Sequence, residues 1–321
     1  MGTNIRYNWI DWMKAIGIFL IVYGHYFSYG DTYIYVFNVP LFFIISGYLY
    51  KKEISIKVFW KKTMYNLIIP MLILIILVQL YLLARKMLSV PITLNEIRDI
   101  GINIILGQHK QYGPCWFIYT LALIRILRFY LPEKRIRSVS IFIIFAFIIF
   151  SCYLSYEKMF IGNAYVNVCV AYPFFAIGEH LQKYKDTINS FSSKAWIIFI
   201  IIVSTIIVLL CGKYNGNIWM YKNDYGLSFI LFILGGCVGT VSIFGISKLL
   251  NSYKSRIVED ISIGSLIIIG LHLQLINYTK ITPSLDVISA MILTLMFVPV
   301  IRLAKKYCPL IIGIYRIKND K

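Results

Sequence analysis

The chain has 321 residues, of which 59% are hydrophobic and 14% charged, with a mean hydropathy of +0.75. Soluble domains carry roughly 45–50% apolar and about 25% charged residues, so the composition excludes a soluble globular protein and points to an all-α integral membrane protein. A net charge of +18 raises the question of nucleic acid, but the basic residues lie in short clusters between apolar runs. That pattern fits membrane orientation, and no nucleic-acid partner is expected.

The first apolar run covers 10–29. About 20 such residues at 1.5 Å each span a hydrocarbon core of roughly 30 Å. The run is too long for a signal-peptide core, and it ends without a small-residue cleavage site. It also carries Asp11, Lys14 and His25, which a plain anchor does not need. Lys14 and His25 lie close to three helical turns apart, on one face, with about 16 Å of rise between them. An ionisable group deep in such a span is costly unless it faces a bundle interior or a wet cavity, so His25 reads as functional, with a histidine hydrogen-bonded between helices for packing as the plainer alternative.

Nine further spans are expected at 33–50, 64–84, 116–131, 139–155, 164–182, 196–212, 225–247, 258–278 and 285–304. With the N-terminus inside and strict alternation, Arg85, Lys86, Arg98, Lys110, Lys158, Lys213, Lys222 and Lys280 fall outside. The other 24 of the 32 Lys and Arg fall inside. That bias supports about ten crossings with both termini cytoplasmic. The second span is interrupted at Asn38-Val39-Pro40 and should kink or break there. A half-helix starting near Leu41 would aim free N–H groups into the membrane, where they could hold an anion or a polarised carbonyl; a packing kink is the plainer alternative. Ser46 and Gly47 permit close helix contact.

The segment 51–62 is a basic inner loop with interleaved aromatics. It suits anionic lipid headgroups, or a phosphate-rich cofactor held by Lys61 and Lys62. The outer segment 85–115 contains Thr93-Leu94-Asn95-Glu96, a capping-box pattern that opens a short interfacial helix. Trp116 then sits at the outer interface, either as a belt anchor or stacked on a sugar. His109 is expected in solvent, without a role. Glu179 and His180 close the sixth span at its inner end and read as structural.

The ninth span holds Ser265 and His272, two turns apart on nearly one face. It runs in the same direction as the first, so His272 and His25 reach a similar depth, about 21–22 Å from the inner end. The six cysteines form no CxxC pair and read as small hydrophobes, so neither a disulfide framework nor a metal site is expected.

The first span's D-W-M-K-A-I-G-I-F-L-I-V-Y-G-H, followed by P-L-F-F-I-I-S-G-Y-L-Y, resembles the membrane acyltransferase 3 family. L-I-I-P at 67–70, W-F-I-Y-T-L at 116–121 and S-L-I-I-I-G-L-H at 265–272 extend the resemblance over nearly the whole chain. Lys14 stands where many members have Arg, as in a fucose-acetylase-like branch, and Asn66 stands where a basic residue is often found. No additional extracytoplasmic domain is expected, so residues 1–321 read as one transmembrane acyltransferase domain in the cell membrane. The resemblance implies O-acetyl transfer from cytoplasmic acetyl-CoA to a hydroxyl of a cell-surface glycan or its lipid-linked precursor. His25 would act as general base or as an acetyl-histidine nucleophile. Lys14, Lys61 and Lys62 would hold CoA, with Ser46 and Gly47 nearby, and Asp11 would pair with Lys14 or orient the donor. His272 and Ser265 would line the same cavity, while Trp116 and Asn38 would meet the acceptor. The competing class is a glycan or lipid flippase using His25, His272 and Lys14 as an ion relay.

Overall fold

The computed structural model describes residues 6–27, 30–131 and 136–314, with no side chains at 136–138 and 140. Ser28 and Tyr29 of the first span, Lys134, Arg135, Arg316, Lys318, Lys321 and both termini lie outside the described residues. Among the described residues there are helices joined by turns and loops, with no strands beyond two isolated antiparallel bridges, Gln108 with Asn163 and Trp219 with Asp224.

In chain order the helices are α1 (Asn8–Gly24), α2 (Asp31–Tyr35), α3 (Asn38–Tyr48), α4 (Ile56–Thr63), α5 (Ile69–Met87), α6 (Leu94–Ile105), α7 (His109–Tyr112) and α8 (Trp116–Tyr130). They continue as α9 (Ile136–Tyr156), α10 (Val168–Leu181), α11 (Lys185–Ser190), α12 (Lys194–Asn215), α13 (Phe229–Leu249), α14 (Arg256–Ile263), α15 (Ser265–Thr279) and α16 (Asp286–Tyr307). Four stretches among the described residues are long and apolar enough to cross a membrane: Ile56–Met87, Lys194–Asn215, Phe229–Ser252 and Pro283–Tyr307. The bent pair α14–α15 makes a fifth if it counts as one span. The other five expected spans hold shorter apolar helices, with 17 residues in α1, 11 in α3, 15 in α8 and 14 in α10, and Ile141–Tyr156 within α9.

Several boundaries differ from the sequence expectation. α1 stops at Gly24 and His25 caps it, because the Gly24 carbonyl accepts from the Tyr35 hydroxyl at 2.8 Å and the chain then turns through a left-handed Phe27. The second span is broken, as Pro40 suggested, but α3 begins at Asn38 rather than near Leu41. Its start packs on α13, since a Cβ on Gly236 would meet Pro40 and one on Gly239 would meet Phe37. The basic segment expected as a loop is mostly α4. A π turn over Met64–Ile68 carries it into α5, because Pro70 has no N–H for the Asn66 carbonyl one turn back. The ninth span is two helices meeting at 83° around Gly264.

Other expectations appear as drawn. Thr93 and Glu96 form a capping box with both reciprocal bonds, and α6 follows as the short outer helix. Gly47 lets α3 touch α10, since a Cβ there would overlap the Phe175 carbonyl, and Gly178 does the same against Ile44. Glu179 accepts from the buried Arg128 at 2.8 Å, a structural pair.

Candidate active site

The break at Gly264 is where α1, α14 and α15 are tied together. α14 ends there, leaving carbonyls without helical partners and a negative dipole end. Lys14 Nζ donates to the Ser262 carbonyl at 2.7 Å, while the Ser262 hydroxyl donates to Asp11 at 2.6 Å. Asp11 does not take Lys14 as its hydrogen-bonded partner. It accepts a two-pronged bond from Arg6 at 2.7 and 3.0 Å, and Arg6 also reaches Glu259 at 2.6 Å. A bidentate guanidinium is the stronger partner for a carboxylate, and the freed carbonyl of the broken helix is the nearer one for the ammonium.

Around this knot opens a cavity of about 780 Å³, at the large end of small-molecule sites. Asp11, Lys14, Ser46 and Ser265 line it, together with Arg6, Lys51, Arg125 and Lys185. Its acidic lining residues are already engaged, Asp11 by Arg6 and Glu53 by Lys62 at 2.6 Å. A surplus of positive charge therefore faces the space, and the Arg125 Nε is buried without a partner. Lys61, Lys62, Gly47 and Asn38 do not line the cavity; Lys62 faces Glu53, and Asn38 is 1% exposed near α13. Arg125, Lys185 and Arg6 are additions to the sequence expectation. Arg125 carried a signal, since an arginine inside an apolar run is a functional hypothesis by default.

Phe117, Leu121 and Ile269 add an apolar part to the cavity lining, and neither His25 nor His272 is in that lining. His272 stands three residues past Ile269 on α15, about 4.5 Å further along the axis. The two histidines meet, although the 83° bend at Gly264 removes the straight ninth helix along which their matched depth was counted. Their ring centroids are 4.8 Å apart, and His272 Nε2 lies 3.2 Å from His25 Nδ1. Carbonyl oxygens dictate the tautomers. His25 Nδ1 is 2.7 Å from the Ile21 carbonyl, and His272 Nδ1 is 2.8 and 3.0 Å from those of Ile268 and Ile269, so both Nδ1 atoms carry hydrogen. The neutral pair then has one consistent arrangement. His25 Nδ1–H is shared between Ile21 and the His272 Nε2 lone pair, leaving the His25 Nε2 lone pair free. His272 is fully buried, whereas His25 is partly accessible and packs edge-on to Tyr35 at 6.3 Å.

His109 is not in solvent, as its loop position suggested. It is 8% exposed, with Phe160 against its face and Trp116 and Tyr221 edge-on. Asn167 donates to its Nε2 at 3.0 Å, and the buried Nδ1 has no partner. Burial alone pushes its pKa down to about 4. Trp116 is likewise 8% exposed, enclosed by His109 and Phe117 rather than anchored at an interface. Among the described residues no group of His, Cys, Asp and Glu is arranged to hold a metal, and the six cysteines are unpaired.

A base with one open lone pair above a cationic cavity is a site for activating a nucleophile toward an anionic donor. No curated protein and no solved structure matches the chain. A family model described as an acyltransferase domain matches residues 7–303, nearly its whole length. The chain belongs to the acyltransferase 3 family and is a membrane acyltransferase.

Proposed function

We propose that this chain is an O-acetyltransferase of the cell membrane, in the fucose-acetylase-like branch, with about ten crossings and both termini cytoplasmic. Its donor is acetyl-CoA from the cytoplasm, and its acceptor is a hydroxyl of a cell-surface glycan or lipid-linked precursor on the far side. The observation that carries the reading is the His25–His272 pair, with one imidazole lone pair left open just beyond the end of a cationic cavity.

Fit to the donor rests on charge and size. Arg6, Lys14, Lys51, Arg125 and Lys185 suit phosphate groups, and the apolar lining residues Phe117 and Ile269 suit the less polar arm of the donor. Acetyl-CoA supplies an activated thioester carbonyl. The acceptor hydroxyl gives its proton to His25 Nε2 as its oxygen attacks that carbonyl. His272 receives the Nδ1 hydrogen bond, which strengthens as His25 becomes a cation. Collapse of the tetrahedral carbon expels the CoA thiolate, which takes the proton back from His25 Nε2. Bonds and charges balance as ester plus free CoA thiol. Asp11 acts at one remove, by holding Arg6 and Ser262 and thereby the carbonyl that positions Lys14.

The test is His25→Ala, with acetyl content of the surface glycan measured by mass spectrometry. The glycan is expected to lose its acetyl groups while the variant protein is still present in the membrane. Unchanged acetyl content would remove His25 as the base.

A further inference from the structure

The far side of His25 carries a second feature that the acyl-transfer site does not use. Between α12 and α13 the chain forms a short hairpin, pinned where Trp219 N donates to the Asp224 carbonyl at 2.8 Å and Asp224 N returns the bond at 3.3 Å. Its turn residue Asn223 is left-handed, with φ at 60°. The root is held from below. Asn215 donates to the Tyr225 carbonyl at 2.8 Å and accepts from Ser228 N at 2.6 Å, and Tyr225 N donates to Ser155 at 3.1 Å. From the side, the Thr32 hydroxyl donates to the Asn217 side chain at 2.7 Å. So many bonds on a short segment hold its side chains in one arrangement before any ligand arrives.

That arrangement is an aromatic surface leading to the base. Tyr35 meets His25 edge-on, and Trp219 lies 5.5 Å from Tyr35 with a tilt of 36°. Phe27 extends the surface at 6.0 Å from Trp219, and Tyr221 stands nearly perpendicular to it at 6.3 Å. Phe27 is 62% exposed and held at φ 52°, a left-handed backbone that a bulky side chain rarely adopts. The rim is polar and exposed, with Asn217, Lys222 and Asp224 around the rings. Lys222 Nζ sits 5.1 Å from the Trp219 ring centre, leaving charges of both signs beside the platform.

Tryptophans that merely anchor a protein in a bilayer face lipid singly. These rings instead pack tilted or edge-on against one another and against a ring that meets the proposed base, under a polar rim. We infer that the Phe27–Trp219 surface is the acceptor subsite and that its occupant is an uncharged pyranose unit of the glycan. The apolar C–H face of the sugar lies on Trp219, and its ring hydroxyls meet Asn217, Asp224 and Lys222. Seated there, the sugar presents a hydroxyl across Tyr35 to His25 Nε2. The inference rests on the acyl-transfer reading and adds the acceptor side to it. Trp116, enclosed by His109, lies behind this surface, and the accessible indole is that of Trp219.

Membranes carrying the full chain, supplied with radiolabelled acetyl-CoA and the host's own surface glycan, test it. The proteins compared are wild type, Trp219→Ala, Trp219→Phe and Trp196→Ala. Trp196 is 60% exposed on α12 and meets Phe199, so it serves as an anchoring tryptophan remote from the platform. Label in the glycan should fall about tenfold or more in Trp219→Ala, as expected for loss of a central aromatic anchor. It should largely survive in Trp219→Phe and be unchanged in Trp196→Ala, while CoA stabilises all four proteins equally against heating. The inference is overturned if Trp219→Ala labels glycan like wild type, if Trp219→Phe is as defective as Trp219→Ala, or if Trp219→Ala loses its stabilisation by CoA. If wild-type membranes transfer no label, the acyl-transfer reading itself falls and takes the subsite with it. If wild type transfers and Trp219→Ala matches it, only the subsite falls.

Discussion

Replacing His272 by Phe separates a residue that performs the proton transfer from one that supports it. His272 is fully buried and its Nε2 sits 3.2 Å from His25 Nδ1. Phe fills nearly the same space but accepts no hydrogen bond. In the resting neutral pair that bond is an ordinary one, worth about 1 kcal/mol. Once His25 holds a proton on Nε2 the donor is a cation, and such bonds are worth about 1.5–3 kcal/mol. Only the difference, about 0.5–2 kcal/mol, accrues on the way to the transition state, so kcat should fall about 2–30-fold. Loss of the base itself costs far more, on the order of 10²–10⁴-fold. KM for acetyl-CoA should stay constant, because His272 is not in the wall of the cavity. The double variant His25→Ala, His272→Phe should be no slower than His25→Ala alone, since His272 acts through the ring already removed. Initial rates of label transfer from acetyl-CoA in membranes measure all three. Wild-type kcat in His272→Phe would refute the reasoning, as would a loss equal to that of His25→Ala or additive losses in the double variant.

Three other outcomes are expected. Arg125→Ala should raise KM for acetyl-CoA about tenfold with little change in kcat and weaken the dependence of KM on salt, because it removes one charge-assisted contact to phosphate; an unchanged KM would remove Arg125 from the donor site. Gly178→Ala places a methyl group into the Ile44 carbonyl and should cost about 1–3 kcal/mol or more, whereas Gly101→Ala on exposed α6 meets nothing and should add about 1 kcal/mol; thermal unfolding in detergent compares them. His109 binds its proton more weakly folded, at about 4, than unfolded, at 6.5. The unfolded chain therefore takes up more protons in that window, and the contribution of neutral His109 is complete above pH 6.5. It should be lost progressively as pH falls toward 4, by at most about 3 kcal/mol, with a flatter profile in His109→Gln; equal slopes in the two proteins would dismiss the effect.

Much of this protein is legible one segment at a time. Apolar run length reports helices suited to lipid, Pro40 reports a break, Thr93 and Glu96 report a cap, and Gly47 reports close helix contact. Each of these is decided within a few residues of chain, by backbone hydrogen bonding and side-chain volume. His25 and His272 stood out as buried ionisable residues in two apolar runs, and they do meet, although the 83° bend in the ninth span was not foreseen.

What the chain order could not decide is which groups meet sideways. Asp11 lies three residues from Lys14, yet it binds Arg6 and Ser262, because the break at Gly264 brings a free carbonyl to Lys14. Loop position suggested solvent for His109, but packing of Phe160, Trp116 and Tyr221 from three segments buries it. Lys61 and Lys62 stand in a conspicuous basic cluster, yet of the lysines in that cluster Lys51 lines the cavity, beside Arg6, Lys14, Arg125 and Lys185 from other stretches. The amino-acid sequence by itself determined helix content and membrane character, and it singled out the two histidines. Tertiary structure alone decided the charge lining of the cavity, the tautomers of the paired rings and the placing of Trp219 beside Tyr35. The reason is physical: helix formation and burial in lipid depend on neighbouring residues, whereas ion pairs, ring contacts and cavities depend on how distant helices pack.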